Sequence, residues 1–292
     1  MVYSADNSKL LVNDNEILAS SAQISLGTSL SPKYLMTQRH TQDQVPNNGI
    51  GGKLSFNYHI TGKDYFKEFI TGQGEIPFSG SQQLSGNFGG LYFSSGFLTS
   101  YSVNFSPNSP ASASATVDFF DYARGVFSPV NQPAPSDTQI LNMTHATIEG
   151  EFATGAVDNF IAGTYNYSSE VMPVYLMNET IPSDISFGAK TVNINFEVDN
   201  PTGYLPISGD AAKISVNLKN SSSTLLENFT CSGVINNRNL ASSAGDYIKQ
   251  TVNITQNNLS ATEIYVGSVI DAAGNSGSVG VGTTGSEQGL PS

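Results

Sequence analysis

Apolar and polar residues alternate with a period of two over much of the chain, and this pattern constrains the fold most. The clearest runs are residues 54–60 (LSFNYHI) and residues 192–198 (VNINFEV). Such alternation is typical of strands with one buried and one wet face, because successive side chains of a strand point to opposite sides. Turn-forming sequences such as Asn47-Asn48-Gly49 and Ser208-Gly209-Asp210 separate the runs. The pattern predicts an all-β protein built from sandwich-like or barrel-like units.

Helical patterns are scarce in this sequence. The best candidate runs from Lys63 to Ile70, with Asp64 near its start and an apolar face that includes Phe66 and Phe69. Charged residues make up only 12% of the chain, and Ser, Thr, Asn, Gln and Gly supply most of the polarity. Short uncharged polar side chains suit turns and the wet faces of strands better than helices. We therefore expect little helix.

A proline-rich segment divides the 292 residues into two parts. Residues 128–139 contain three prolines within a short stretch, Pro129, Pro133 and Pro135, which indicates an extended linker. We expect a first β-domain over residues 1–127 and a second over residues 140–271. The last stretch, 272–292, is rich in Gly and Ser and lacks an alternating pattern, so a flexible tail is predicted there.

The two predicted domains also resemble each other in sequence. Four short segments recur in the same order, at separations of 141, 137, 137 and 135 residues. The pairs are 32–36 with 173–177, 52–53 with 189–190, 95–98 with 232–235, and 117–119 with 252–254. Nearly constant spacing favours an internal duplication. The alternative is two unrelated β-domains that share ordinary strand patterns.

Charge and cysteine content exclude several classes of function. The net charge of −12 repels nucleic-acid phosphates, so a DNA-binding role is not expected. The single cysteine, Cys231, allows no internal disulfide and reads as a small buried apolar residue. The N-terminus lacks a basic region followed by an apolar stretch, and no apolar run reaches the length of a membrane span. Synthesis in the cytoplasm without an export signal is therefore expected.

No constellation of residues predicts a catalytic, cofactor or metal site. The three histidines, His40, His59 and His145, are spread along the chain without metal-ligand spacing, and no nucleophile elbow is present. The segment Asn13–Glu16 lacks the spacing of a calcium loop. The remaining acidic candidates read as strand ends or turns; they are Asp118, Asp121, Asp199 and Asp210. The sequence predicts a protein that is not an enzyme and has no cofactor.

Several segments together follow the pattern of a known family. They are the strand-turn-strand segment 90–105 (GLYFSSGFLTSYSVNF), the small-residue strand 111–117, the Pro-x-Tyr-Leu segments at 32–35 and 173–176, and residues 238–248. These segments resemble the tail tube proteins of long-tailed bacteriophages. The resemblance covers most of residues 20–125 and extends more weakly over 160–260.

The resemblance implies a structural subunit of a virion. Tail tube subunits join into rings, and the rings stack into a channel through which viral DNA passes without specific binding. A duplicated subunit would form a trimeric ring with pseudo-sixfold symmetry, and an unduplicated one a hexameric ring. The implied partners are further copies of the chain and other tail proteins, namely a terminator, a tape measure and, in contractile tails, a sheath.

Two other interpretations remain open from the sequence. Residues 269–275 (VIDAAGN) resemble the last strand of bacterial immunoglobulin-like domains, with 196–199 as an earlier strand, which would make the second half a surface decoration. The chain would then be another virion protein, such as a neck, baseplate or decoration component. A β-sandwich of a fibre or cell surface that binds glycans or receptors is the third reading, although the chain has no Trp for a sugar platform.

Overall fold

A computed structural model describes residues 10–27, 30–33, 43–46, 51–71, 83–127, 140–152, 155–157, 160–177, 179–199, 209, 211–241 and 249–257. These residues form sixteen strands, one α-helix and one short 3₁₀ turn, so the predicted all-β fold with little helix is confirmed. The helix α1 spans Tyr65–Thr71 and the 3₁₀ turn spans Met143–His145. The strands are β1 (Leu10–Val12), β2 (Asn15–Ile17), β3 (Ala19–Gly27), β4 (Leu30–Lys33), β5 (Asp43–Pro46), β6 (Gly51–His59), β7 (Gln83–Phe88), β8 (Leu91–Phe105), β9 (Ser112–Phe119), β10 (Thr147–Phe152), β11 (Gly155–Val157), β12 (Phe160–Val174), β13 (Asp184–Asp199), β14 (Ala211–Lys219), β15 (Leu225–Ala241) and β16 (Lys249–Asn257).

The two halves of the chain repeat one antiparallel topology. Strands of the first half pair in the order β3-β6-β9-β8-β7-β1-β2. Strands of the second half pair in the order β12-β13-β16-β15-β14-β10-β11, with each strand in the place of its counterpart. The separate hairpin β4-β5 corresponds to the outer ends of β12 and β13, since Leu30 pairs with Pro46 and Val171 with Phe187, each 141 residues further on.

Irregularities of the strands also recur at matching positions. The pairing of β8 with β9 shifts between Leu98 and Ser100, and that of β15 with β16 shifts between Ile235 and Asn237. A second shift lies near the start of β3 and recurs near the start of β12. A bulge changes the local twist and is a built feature of a strand. Matching bulges are the strongest structural support for the internal repeat.

The pairing registers correct two of the four sequence matches. Leu54 and Ile194 occupy the same place, because they face Val117 and Ile254 respectively, and these in turn face Leu98 and Ile235. Segment 52–53 therefore corresponds to 192–193, and the match to 189–190 is wrong. Likewise 117–119 corresponds to 254–256, not to 252–254. The other two matches agree with the registers over the residues that the structure describes, 32–33 and 95–98.

Glycines at matching positions allow close approach of neighbouring strands in both repeats. A Cβ on Gly96 would lie 2.5 Å from the ring of Phe93 and 2.7 Å from the side chain of Val117. A Cβ on Gly233 would lie 2.1 Å from the carbonyl oxygen of Thr255. Only glycine fits at such positions without displacing a neighbouring strand.

One apolar core runs through both halves. It is lined by the buried faces of the alternating strands, including Phe56 and Val103 in the first half and Phe196 and Ile254 in the second. The ring of Phe229 in β15 lies 5.5 Å from that of Tyr165 in β12, although β16 and β13 separate these strands in the sheet. The sheet therefore curves until its concave face closes over its own side chains.

Helix α1 lies where the sequence predicts a helix, but it begins at Tyr65 and not at Lys63. The carboxylate of Asp64 accepts a hydrogen bond of 2.9 Å from the backbone N–H of Lys67, which is the bond of an N-terminal cap. Phe66 and Ile70 are buried beneath the helix. The sequence predicted that the helix ends at Ile70, and in the structure it ends at Thr71. The short helix lies over the core on one apolar face.

The predicted linker, 128–139, and the predicted tail, 272–292, lie outside the described residues, as do residues 269–271. The domain boundaries therefore stay predictions. Across the linker, β8 of the first half pairs with β12 of the second, so both repeats belong to one hydrogen-bonded sheet.

Candidate assembly interface

Histidines do not come together in the part of the chain that the structure describes. His59 lies on the wet face of β6, opposite Ser112 of β9. His145 lies in the 3₁₀ turn and is exposed, and His40 falls outside the described residues. Among the described residues, no group of three or more His, Cys, Asp or Glu side chains could hold a metal ion.

Two of the four acidic candidates, Asp118 and Asp121, have structural partners. Asp121 is buried at the end of its strand and accepts hydrogen bonds from the backbone and the hydroxyl of Ser94, at 3.0 and 2.8 Å. Asp118 lies 3.6 Å from the ammonium group of Lys53. Asp199 ends β13, and Asp210 falls outside the described residues.

The segment Asn13–Glu16 forms a hairpin turn. Asn13 and Asp14 both have positive φ, at 45° and 61°, as a two-residue turn of type I′ requires. The Asn13 amide donates to the hydroxyl of Tyr65 and accepts from the backbone of Ser85 at 2.7 Å. Its polar atoms serve packing between strands.

Cys231 is fully buried in β15. Burial raises the pKa of its thiol to about 12, so the thiolate that would act as a nucleophile is scarce at neutral pH. Its weak hydrogen bonds go to backbone carbonyls of Val192 and Ile254. The expected role of a small apolar core residue agrees with this environment.

A buried polar cluster connects the two halves. Glu227, at the start of β15, accepts a hydrogen bond of 2.7 Å from the backbone N–H of Asp64, which precedes α1. The other carboxylate oxygen of Glu227 lies 3.2 Å from the ammonium group of Lys67. Tyr58 donates a hydrogen bond of 2.7 Å to Asp64. Sequence reasoning placed Asp64 near the start of the helix but missed Glu227, because 163 residues separate Glu227 from Asp64.

Burial controls the protonation of this cluster. It raises the pKa of Asp64, and the hydrogen bonds from Tyr58 and Lys67 offset only part of that shift. It also raises the pKa of Tyr58 and Tyr101 well above the ordinary value, and the nearby carboxylate of Asp64 adds to both shifts. Burial of these polar groups costs solvation free energy, which the hydrogen bonds within the cluster must offset.

The junction between the repeats is a paired strand edge. Residues 163–168 of β12 pair with residues 100–105 of β8, with Tyr165 opposite Val103 and Tyr167 opposite Tyr101. All four of these side chains are buried. On the opposite face, the hydroxyl of Ser102 donates a hydrogen bond of 2.7 Å to the side chain of Asn166.

Aromatic rings fill the core under this junction. The rings of Tyr101 and Tyr165 meet edge to face with centroids 6.3 Å apart, and Phe105 stacks on Phe196 at 6.3 Å. Phe66 of α1 lies 6.3 Å from Tyr101. Aromatic pairs at these separations add specific packing to the hydrophobic burial. The two repeats are thus joined by both backbone pairing and a shared apolar core.

The sheet face opposite the core carries mainly short polar side chains. Cross-strand neighbours on this face form three rows that run across both repeats without interruption at the junction. Only His59 in these rows is titratable, and the nearest charges on the first half are Lys53 and Asp118 in the adjoining row. The rows are Ser21, Asn57, Ser114, Ser102, Asn166, Asn193 and Thr255; Gln23, Ser55, Thr116, Ser100, Ser168 and Thr191; and His59, Ser112, Asn104, Thr164, Asn195, Asn253 and Asn237.

Hydrogen bonds between neighbouring side chains hold parts of these rows in place. Asn57 donates to the hydroxyl of Ser21 at 2.9 Å, and Thr255 donates to the side chain of Asn193 at 2.7 Å. The many Ser, Thr and Asn residues of the sequence indicated polar strand faces. Only the strand pairing shows that these residues form one continuous surface.

The sequence matches no known protein-family model and has no significant match among curated proteins. Within the described residues, no helix is long and apolar enough to cross a membrane. The features that bear on function are therefore the repeat, the paired junction and the polar face.

Proposed function

We propose that this chain is a structural subunit of a bacteriophage virion and forms the tail tube by assembling into stacked rings. The proposal joins the sequence resemblance to one structural observation, the edge-to-edge junction of the two repeats. A ring of subunits needs a repeated unit that offers one strand edge and accepts another. The two repeats of this chain already meet in that way through β8 and β12.

The polar face supports the proposal of a channel. We assign the three rows, which consist of Ser, Thr, Asn and Gln side chains apart from His59, to the surface along which viral DNA passes. A duct must not retain DNA, and a surface without Lys or Arg offers phosphates no cationic partner. The chain's net charge of −12 adds repulsion at longer range.

The second repeat is proposed to be part of the tube wall. Its strand order and its bulges match those of the first repeat, which supports a second tube-like unit over an immunoglobulin-like decoration. Three such chains would supply the six repeats of a ring with pseudo-sixfold symmetry. The terminator, the tape measure and a sheath are the further partners that this role implies.

Electron microscopy of the purified full chain tests the proposal. The chain is imaged in negative stain at increasing concentration, and its mass is followed in parallel by sedimentation velocity. Hollow rings or tubes with sixfold or pseudo-sixfold end views are expected. Dispersed two-lobed particles at every concentration would contradict the proposal and favour a decoration or receptor-binding protein, for which glycan binding is the next measurement.

A further inference from the structure

We infer that copies of this chain join by repeating the chain's own internal junction, with β3 of one copy pairing with the C-terminal part of β15 of the next. This inference deepens the proposed function and rests on it, since it specifies the strands and the register of the contact between subunits.

The internal junction supplies the template. In each repeat the last strand but one extends beyond one of its partners: β8 in the first repeat and β15 in the second. Residues 100–105 of β8 extend beyond the partner β7 and pair with β12. Residues 237–241 of β15 likewise extend beyond β14, whose pairing ends at Val234. In the described residues no strand pairs with that edge beyond Ile235, whose carbonyl accepts from Gly209.

The complementary edge lies at the other end of the chain. Strand β3 is the counterpart of β12, 141 residues earlier, and both carry the same bulge near their start. The outer edge of β12 is occupied by β8, whereas β3 pairs only with β6 among the described strands. Among the described strands, the two edges without a partner are thus the counterparts of the two edges that pair inside the chain. A donor edge at one end and an acceptor edge at the other give a head-to-tail contact between copies.

Transfer of the internal register predicts the residue pairs between copies. Tyr165 opposite Val103 becomes Ile24 opposite Leu240, and Asn166 opposite Ser102 becomes Ser25 opposite Asn239. Tyr167 opposite Tyr101 becomes Leu26 opposite Arg238.

The exposure of these positions agrees with an interface that is open in the single chain. Leu26 is 54% exposed and Leu240 is 50% exposed, while Ile24 is half-buried against the core. Their counterparts at the internal junction are buried aromatic and apolar side chains. A second copy in this register would cover Leu26 and Leu240 and would continue the three polar rows from one chain to the next.

Cysteine pairs test the register in the full-length protein. Oxidation of the double variant Ser25→Cys/Asn239→Cys is expected to give covalent multimers, because Cα atoms of opposite residues in an antiparallel pair lie within disulfide range. The matched pair Ser102→Cys/Asn166→Cys is the positive control, since the same geometry exists there within one chain. The pair Ser25→Cys/Asn237→Cys, shifted by two residues, is the negative control because a diagonal pair is about 7–8 Å apart.

The possible results separate the inference from the proposed function. The inference is supported if Ser25→Cys/Asn239→Cys forms covalent multimers and the shifted pair does not. It also predicts that neither single variant, Ser25→Cys or Asn239→Cys, forms a covalent dimer. Rings seen by microscopy without disulfides at Ser25 and Asn239 would overturn the register and leave the tube role standing. Covalent dimers of Ser25→Cys alone would also overturn it, since they show β3 pairing with β3. A chain that stays monomeric at every concentration would overturn both.

Charged substitutions at Leu26 provide an independent readout. In the inferred register a second copy covers Leu26, so Leu26→Lys and Leu26→Glu are both expected to raise the concentration needed for assembly about fivefold. Leu225→Lys is the matched control, since Leu225 is 53% exposed and lies outside the inferred contact. An unchanged assembly concentration for both Leu26 variants would contradict the inferred contact.

Discussion

Asp64 makes three structural hydrogen bonds in this protein. It caps α1, accepts a hydrogen bond from Tyr58 and donates its backbone N–H to Glu227 of the other repeat. The capping role could be predicted from the sequence, because a short acidic residue precedes an apolar helical face. The contact with Glu227 could not, because no local pattern records which distant strand will cover a helix N-terminus.

The raised pKa of Asp64 predicts a dependence of stability on pH. The folded state binds this proton more tightly than the unfolded state, so the contribution of Asp64 is greatest below the ordinary pKa of 3.8 and falls as pH rises through the raised value. Asn is an equally good cap and carries no charge. In urea unfolding from pH 4 to pH 8, the free energy of unfolding of Asp64→Asn should therefore rise relative to that of the wild type as pH rises. The expected change is about 1.4 kcal/mol per unit of pKa shift. Parallel curves for the two proteins would contradict the buried charge.

At the scale of the elements, alternation predicted the strands but not their register. Residues 54–59 and 192–198 form strands as expected, yet the sequence match placed 52–53 against 189–190, three residues away from the observed correspondence. A pattern of period two repeats along a strand and cannot say which residue faces which neighbour. The bulges at Leu98 and Ile235 are equally invisible to it, because they depend on hydrogen bonding between strands.

The glycine that precedes the bulge of β15 provides a test of this element. Gly233→Ala should lower the free energy of unfolding by about 1–3 kcal/mol, because its Cβ would meet the carbonyl oxygen of Thr255 at 2.1 Å. Gly62→Ala is the control, since nothing lies within 4 Å of its Cβ, and it should change stability by less than about 1 kcal/mol. Urea unfolding followed by circular dichroism measures both, and equal stabilities would show that the β15–β16 contact is looser than described.

At the scale of the whole molecule, the repeated topology supports the predicted internal duplication, but the sequence did not predict that one sheet continues across both repeats. A strand has the same alternation whether its edge is free or paired, so the sequences of β8 and β12 carry no sign of their contact. The shared core predicts that both repeats unfold together, in a single calorimetric transition.

Glu227 tests this coupling between the repeats. Glu227→Ala should destabilise the whole chain by about 2 kcal/mol, because it removes the partner of Lys67 and the acceptor for the backbone of Asp64. Glu68→Ala is the matched control, as its ion pair with Lys63 is exposed and is expected to contribute less than about 1 kcal/mol. Calorimetry should show one transition at a lower midpoint for the first variant, while two separate transitions would mean that the repeats are energetically independent.

The covalent connection between the repeats has a kinetic consequence. Because β8 and β12 belong to one polypeptide, their encounter is a first-order step whose rate does not depend on how many chains the cell has made. The tether acts as a high local concentration of one repeat around the other, on the order of millimolar for a short flexible connection. In the proposed ring, joining two repeats in one chain halves the number of contacts that must form between separate molecules. The two repeats need not be identical, so each can present a different surface.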